Sequence, residues 1–140
     1  MLPSTFDTLD TTDPTVVHEA ALDDLAAIIR ESGIDPIATE SGIDPVRLEA
    51  VLAGEDPTLS VGEAASIIAA AADATQDAVQ AAIQDRLLMG MTTAVLDVDT
   101  LAASADLGLS GTEVHQKIEG RAPLTLEEFA HLAAVIAERR

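Results

Sequence analysis

Only two aromatic side chains, Phe6 and Phe129, are available to fill the core of this 140-residue chain. The other apolar residues are mostly Ala, Leu, Ile and Val. Alanine favours helix over strand, and no alternating pattern long enough for a strand is present. We therefore predict an all-α fold, a compact bundle of about eight helices. For Met89, Gly90 and Met91 we predict core packing, with the glycine allowing close helix crossing; the alternative is a groove for a partner.

Capping signals mark the ends of the predicted helices. The Asp-Pro pairs at residues 13–14, 35–36 and 44–45 are typical of an N-cap followed by proline at the first helical position. Three capping-box patterns are present, Ser60 with Glu63, Ser110 with Glu113, and Thr125 with Glu128. The predicted helices span residues 14–32, 36–41, 45–53, 60–72, 75–96, 100–107, 110–119 and 125–139. Residues 1–13 are predicted to form a loose acidic segment.

Glycine spacing indicates two similar units along the chain. Two glycine pairs are each twelve residues apart, Gly42 with Gly54 and Gly108 with Gly120, and a proline follows each second glycine by three residues. We predict a first helix-turn-helix-like unit at 14–72 and a second at 75–140, packed as one compact body. The alternative is that glycine spacings coincide by chance in an all-helical protein.

The chain has a formal net charge of −18, from 25 acidic and 7 basic residues. Such a charge repels itself in dilute buffer, whereas at about 1 M salt the Debye length is only about 3 Å. High acid content with a single lysine is typical of proteins adapted to high salt, so we predict a halophilic protein. The alternatives are an ordinary acidic protein and a disordered chain, although an apolar fraction of 48% with clear periodicity disfavours disorder.

The sequence also indicates the cellular location of the protein. Cysteine is absent, which excludes disulfides and thiolate zinc sites. The first residues are acidic and lack the basic start of a signal peptide. No apolar run is long enough to cross a bilayer, so the predicted location is the cytoplasm, without membrane contact.

Residues 101–138 resemble the helix-turn-helix domain of the Cro/C1-repressor type. In that family a tight glycine turn separates two short helices and an apolar residue follows six positions later, as Gly108 and Val114 do here. The Ile-Glu-Gly sequence at 118–120 matches the end of the second helix, with Ile-Glu one position later than in the family. The closing helix matches through Leu126, Phe129, Leu132 and Ala133. The first unit fits the same template through Ile37, Ala38, Gly42, Leu48, Val51 and Gly54.

The whole chain is also similar to a haloarchaeal family of uncharacterised function. The similarity lies chiefly in MGMTTAVLDVDTLAA at 89–103 and QKIEGRAPLTLEEFAHL at 116–132. It supports the salt-adaptation argument and implies no activity.

In helix-turn-helix proteins the second short helix enters the major groove, and its first residues touch base edges. The resemblance therefore implies a DNA-binding transcriptional regulator that reads with helix 110–119. The candidate contacts are its outward polar residues and the arginine just beyond it, namely Ser110, Thr112, His115, Gln116, Lys117 and Arg121. Gln can read adenine, and Lys can read guanine or phosphate. Charge also favours the second unit. Residues 1–85 contain 2 basic and 17 acidic groups, whereas residues 86–140 contain 5 basic and 8 acidic groups.

The alternative hypothesis is a non-catalytic protein–protein interaction or scaffold module that keeps the helix-turn-helix shape without binding DNA. Any surface helix has a polar face, and DNA-binding proteins usually carry a basic stripe that this chain lacks. The partner would be another protein or a second copy in a homodimer. In multimolar salt phosphate contacts weaken for every protein, so the missing stripe argues less strongly against DNA.

No catalytic constellation is evident in the sequence. His18, His115 and His131 are far apart and have no metal-binding spacing. Asp97 and Asp99 could hold a cation, but Asp99 is more simply the N-cap of the following helix. We therefore predict that the protein is not an enzyme and has no cofactor, metal or small-molecule substrate.

Overall fold

The computed structural model describes residues 2–140, in which the chain forms nine α-helices joined by short loops. The helices are α1 (Ser4–Asp7), α2 (Pro14–Ser32), α3 (Ile34–Ser41), α4 (Pro45–Leu52), α5 (Val61–Ala72), α6 (Gln76–Ala94), α7 (Val98–Ala105), α8 (Gly111–Ile118) and α9 (Leu126–Arg139). The predicted all-α fold is confirmed, because residues 2–140 contain no strand and only one isolated bridge.

Side-chain caps set most helix starts as predicted. Asp13 Oδ1 accepts a hydrogen bond from the N–H of Thr15 at 3.0 Å, and Asp44 Oδ1 accepts one from Val46 at 2.9 Å. All three capping boxes form, at Ser60 with Glu63, Ser110 with Glu113, and Thr125 with Glu128. Each box satisfies backbone donors that the first turn would otherwise leave open.

The Asp-Pro pair at 35–36 does not begin a helix, so that predicted start is wrong. α3 begins earlier, at Ile34, and Gly33 both ends α2 and precedes α3. Gly33 has φ 91° and ψ 148°, a conformation open to glycine because it lacks a Cβ. This residue lets two helices follow each other without a linker, which a proline signal alone does not indicate.

Asp97, rather than the predicted Asp99, is the N-cap of α7. Asp97 Oδ1 accepts from the N–H of Thr100 at 2.7 Å, and this hydrogen bond lowers the pKa of Asp97. Asp99 instead lies against the start of α8, where a Cβ on Gly111 would be 1.9 Å from Asp99 Oδ1. The Asp99 carboxylate therefore occupies the space of a side chain at position 111 and would have to move aside for any residue other than glycine.

The N-terminal segment is packed, so the prediction that residues 1–13 are loose is wrong for the part that the structure describes. Phe6 is fully buried and Leu9 is 5% exposed. The Phe6 ring lies 5.2 Å from the Phe129 ring, centroid to centroid. Arg86 Nε also donates to Asp7 Oδ1 at 2.8 Å. Burial of a large aromatic ring outweighs the acidic character of the segment.

The two helices that close the halves of the chain, α5 and α9, begin side by side. The N–H of Val61 donates to the carbonyl of Leu124 at 2.7 Å, and that of Leu126 donates to Leu59 at 2.9 Å. α2 packs most extensively against α9, and α6 against α5. Each long helix therefore covers the closing helix of the other half, and a continuous cluster of apolar side chains fills the middle.

Gly90 lies where α6 crosses α9. A Cβ at this position would be 2.8 Å from Ile136 Cγ2 and 3.3 Å from Leu9 Cδ1, so only glycine allows this separation. The predicted packing role of this segment is confirmed for Gly90 and Met91, which are buried, and is wrong for Met89, which is 56% exposed.

Candidate nucleic-acid interface

α8 follows α7 after a short turn, in the order that helix-turn-helix proteins use for their recognition helix. The turn contains Gly108 at φ 72°, in the left-handed region that favours glycine. Val114 and Ile118 face the core and are each 1% exposed. The opposite side of α8 therefore faces solvent, and most of the predicted DNA contacts lie on or beside it.

Ser110 is exposed, but its side chain caps α8. Ser110 Oγ accepts from the N–H of Glu113 at 3.1 Å, and the N–H of Ser110 donates to Glu113 Oε1 at 3.0 Å. The hydrogen bond from the Ser110 N–H to the carboxylate lowers the pKa of Glu113. The first turn of α8 therefore carries the negatively charged carboxylate of Glu113, which repels phosphate.

Thr112, His115 and Gln116 are exposed along the outer side of α8. The His115 imidazole contacts the carboxylate of Glu119 one turn later, with half of its side chain accessible. The structure brings these three predicted residues together on one surface, within reach of a flat or grooved partner.

Lys117 does not lie on that surface, so its predicted outward position is wrong. Its side chain is only 18% exposed. Its Nζ donates to the carbonyl of Pro123 at 2.9 Å and to Glu128 Oε1 at 3.0 Å. Glu128 closes the capping box of α9, so the ammonium group fastens α8 to the first turn of the closing helix. This half-buried, hydrogen-bonded ion pair holds the lysine inward.

Arg121 extends beyond α8 and is 60% exposed. Its Nη2 donates to Glu119 Oε1 at 3.0 Å. The same Glu119 carboxylate contacts His115, and it offsets the charge of the Arg121 guanidinium. The candidate interface therefore has little positive charge.

The first half of the chain uses Arg47 as the second half uses Lys117. Arg47 Nη2 donates to Glu63 Oε1 at 3.0 Å and to the carbonyls of Pro57 and Thr58 at 3.4 Å. Glu63 closes the capping box of α5, just as Glu128 closes that of α9. The hydrogen bond from Arg47 lowers the pKa of Glu63 more than any other group does. In both halves a cation from the preceding short helix anchors the closing helix.

This pair predicts a pH dependence of stability. Because the folded-state pKa of Glu63 is below its unfolded value, its contribution is present at neutral pH and is lost as the pH falls through the folded-state pKa. We expect Glu63→Gln to lower the free energy of unfolding at pH 7, and the difference from wild type to close as the pH falls through the lowered folded-state pKa of Glu63. Chemical denaturation across pH measures this. A difference that persists in acid would contradict the assignment, and Glu55→Gln, at an exposed position, is the control.

His18 is another histidine of residues 2–140 that lies close to a carboxylate. Its Nε2 lies 3.0 Å from Asp56 Oδ2, a contact without aligned hydrogen-bond geometry. Within residues 2–140 no group of three or more His, Asp or Glu side chains could hold a metal ion. In the same range no single helix is long and apolar enough to span a membrane, and α6 with α7 meets that test only as a pair bent by 98°.

A cavity of about 260 Å³ opens between the start of α5, the middle of α6 and the loop after α8. Ile83 and Leu87 form its apolar floor, and Gln80, Gln84 and Arg121 contribute polar groups. Ser60 and Lys117 also line the cavity, where the Ser60 hydroxyl caps α5 and the Lys117 ammonium donates to Glu128.

Sequence reasoning missed an exposed apolar surface on α6. Leu88 is 44% exposed, Met89 56% and Val95 90%. Leu88 and Met89 lie on α6, and Val95 lies just beyond its end, at φ 56°. The sequence signal for an exposed apolar side chain on α6 was weak, because Leu88 and Met89 lie in a run of apolar residues that predicts burial equally well.

Comparisons with known proteins add a family but no activity. No curated protein and no solved structure significantly matches the chain. A family described as being of unknown function, DUF5791, matches residues 17–139, which include α3 to α9 and nearly all of α2. The chain therefore belongs to the DUF5791 family.

Proposed function

We propose that the protein is a non-catalytic protein-interaction module that keeps a helix-turn-helix-like shape without reading DNA. The observation that carries this proposal is the position of Lys117. A reader of guanine or phosphate needs a free cation at the groove, whereas Lys117 is held by Glu128 and the carbonyl of Pro123. Its removal from the outer side of α8 takes away the one lysine available for that role.

Electrostatics support the same proposal. Phosphate contacts supply much of the affinity of DNA-binding proteins, and each requires a cation. The outer side of α8 instead carries Glu113 and Glu119, and Arg121 is paired with the latter. High salt screens repulsion between these carboxylates and phosphate, but it supplies no attractive contact in their place.

Helix order supports the proposal that the two halves are tandem helix-turn-helix-like units. α3, α4 and α5 correspond in order to α7, α8 and α9, and α4 and α8 are each eight residues long. The cationic anchors Arg47 and Lys117 add a shared chemical feature. We place the protein in the salt-rich cytoplasm of a halophile, a setting that its charge of −18 supports.

DNA reading by α8 is the second candidate, as a transcriptional regulator. The observation that favours it is the exposed row of Thr112, His115 and Gln116 on the outer side of α8. A glutamine at such a position can pair with adenine. In this candidate Ser110 stays a cap, Lys117 stays an anchor, and Arg121 makes a phosphate contact.

Lys117→Ala distinguishes an anchor from a reader. If Lys117 is an anchor, its removal leaves the half-buried carboxylate of Glu128 without its cationic partner. We then expect the free energy of unfolding to fall by about 1–2 kcal/mol. The corresponding fall in Tm is roughly 2–4 °C per kcal/mol for a chain near this size. Circular dichroism in molar KCl measures it, with Gln116→Ala as the exposed neighbour that should leave Tm unchanged. An unchanged Tm in Lys117→Ala would argue for a reading role.

DNA capture followed by sequencing, with purified protein in molar KCl, tests the proposal itself. We expect no sequence to be enriched over the input library. Enrichment of a defined sequence that is lost in Gln116→Ala would overturn the interaction-module proposal in favour of the second candidate. Arg47→Ala removes the corresponding anchor of the first half, outside α8. It is the control that separates a loss of DNA binding through a weakened fold from the loss of a contact on α8.

A further inference from the structure

The cavity between the start of α5, the middle of α6 and the loop after α8, called here the α6 cavity, differs in charge from the rest of the chain. Its lining includes two of the seven basic residues, Lys117 and Arg121, and none of the 25 acidic residues. On a chain of net charge −18, a wall without carboxylates is a place that an anion can approach closely. The charge of the lining therefore favours an anionic ligand.

Hydrogen-bond donors converge at one side of the α6 cavity, beside Gly120. A Cβ on Gly120 would lie 2.5 Å from Gln84 Nε2 and 3.5 Å from Gln80 Nε2, so the two amide nitrogens reach the same place. Arg121 follows directly and uses its Nη2 for Glu119, whereas a guanidinium group has five N–H donors. Two amides and one guanidinium can therefore donate to a single ligand group.

The orientation of the Gln80 amide is fixed by its neighbour one turn earlier on α6. Gln76 Nε2 donates to the carbonyl oxygen of Gly62 at 3.1 Å, and a carbonyl oxygen only accepts. The same nitrogen donates to Gln80 Oε1 at 3.1 Å. The amide oxygen of Gln80 is therefore turned towards Gln76, and its N–H groups remain for the cavity.

Backbone acceptors in the wall of the α6 cavity are already engaged. The carbonyl of Leu124 accepts from the N–H of Val61 at 2.7 Å, and the carbonyl of Pro123 accepts from Lys117 Nζ at 2.9 Å. A wall with open donors and engaged acceptors matches a ligand group that only accepts. A carboxylate is such a group, and hydrogen bonds to it are stronger than those between neutral partners.

The first half of the chain occupies the corresponding place with its own side chains. α2 and α6 each have 19 residues and both bury their fourth, eighth, twelfth and sixteenth positions. In this correspondence His18 matches Gln80, and Asp56 matches Ala122, each two residues beyond the second glycine of its half. His18 Nε2 lies 3.0 Å from Asp56 Oδ2. The second half instead has an amide and a methyl group, which leave room for a ligand.

We propose that the α6 cavity binds a small aliphatic monocarboxylate. Its carboxylate accepts hydrogen bonds from the amides of Gln80 and Gln84 and from the Arg121 guanidinium, and its hydrocarbon part covers the apolar floor of Ile83 and Leu87. The inference goes beyond the proposed function, because it adds a small ligand to an interaction module. No sequence motif indicates this site, since its wall is assembled from α5, α6, α8 and the loop after α8.

The size of the cavity limits the length of the acid. Its volume of about 260 Å³ exceeds the roughly 150 Å³ that holds benzene in an apolar cavity and is below the roughly 300–1,000 Å³ of sites for drug-sized ligands. We therefore expect an acid of about four to six carbon atoms. Isovalerate, a branched acid within this range, is the probe used below.

Titration of the isotope-labelled full chain with isovalerate in molar KCl tests the site by NMR. We expect the side-chain amide signals of Gln80 and Gln84 to shift to saturation, with a dissociation constant on the order of 1 mM for so few heavy atoms. Because chloride is in large excess throughout, a saturable shift reports specific recognition and not general attraction of anions. Absence of a saturable shift at these amides would overturn the inference.

Two related probes separate the carboxylate from the hydrocarbon. Acetate has the carboxylate with a single methyl group, and 3-methylbutanol has the same branched hydrocarbon without the charge. Each should bind at least about 10-fold more weakly than isovalerate, because each lacks one of the two sets of contacts. Equal binding of the alcohol would overturn the anionic ligand class, and equal binding of acetate would overturn its aliphatic part.

Arg121→Gln tests the cationic contact at a side chain that is 60% exposed and whose replacement should leave the fold intact. We expect isovalerate binding to weaken by about 10-fold. Arg30→Gln makes the same change of charge at an exposed arginine on α2 and is the control. Unchanged binding in Arg121→Gln, or an equal loss in Arg30→Gln, would overturn the assignment of the carboxylate position.

Ala122→Asp places in the second half the carboxylate that the first half has at Asp56. It should weaken isovalerate binding by more than about 10-fold, through repulsion of the ligand carboxylate. Ala122→Asn has nearly the same size without the charge and should keep most of the binding. Circular dichroism in molar KCl checks that both variants are folded. Wild-type binding in Ala122→Asp would overturn the location of the site, and an equal loss in the two variants would overturn the anionic ligand class.

Discussion

The chain is expected to lose most of its helical structure when the KCl concentration falls from about 2 M to below about 0.2 M, as the Debye length grows from roughly 2–3 Å to roughly 7–10 Å. In residues 2–140, arginine and lysine side chains form ion pairs with only five of the 25 acidic residues. The other carboxylates repel one another in the folded chain more than in an extended one. The core that must resist this repulsion contains two aromatic rings and many alanines.

Circular dichroism over a KCl series measures this loss, together with Tm at each concentration. Sucrose at the same osmolality is the control, because it favours the compact state without screening charge. Full helicity and an unchanged Tm in dilute buffer would rule out a salt requirement. Recovery of helix in sucrose as strong as in KCl would assign the effect to solvent exclusion instead of screening.

Phe6→Ala is expected to cause the largest loss of stability among single substitutions in the N-terminal segment. Removing a fully buried phenylalanine costs about 3–5 kcal/mol, and the contact with Phe129 at 5.2 Å is lost with it. At roughly 2–4 °C per kcal/mol, Tm should fall by roughly 10 °C. Thermal unfolding in molar KCl measures the change.

Thr12→Ala is the matched control, because Thr12 is exposed in the same segment. It should leave Tm within about 1–2 °C of wild type. Phe6→Leu should fall between the two, because leucine fills part of the same space. If Phe6→Ala also left Tm unchanged, the segment would be loose in solution, contrary to its packing against α2 and α6.

Local signals predicted the helices well. The three capping boxes require only residues three positions apart, and all three form at the predicted places. Asp97 and Asp99 are equally good N-caps by chemistry, so the choice between them could not be made locally. It depends on the approach of α8, where Gly111 lies against Asp99.

Contacts between distant residues could not be predicted from one sequence. The burial of Phe6 depends on Phe129, which is far along the chain. Lys117 lies at the boundary between the polar and apolar sides of α8, so helical periodicity allows it to point either way. Glu128, on the next helix, decides the direction. Helical periodicity correctly predicted that Thr112, His115 and Gln116 are exposed. It could not predict the contacts of Glu119 and Glu128, which reduce the positive charge available at the candidate interface.

The crosswise packing of the long helices bears on how such a chain could arise. α2 packs against α9 as well as against α3, α4 and α5, and α6 packs against α5 as well as against α8 and α9, so the two halves share one core. A polypeptide with only one half would leave part of its apolar surface uncovered until it met a partner molecule. Joining the halves in one chain replaces that encounter with an intramolecular one at an effective concentration in the millimolar range for a short connection. The connection between α5 and α6 spans only residues 73–75, which makes the folded state independent of dilution.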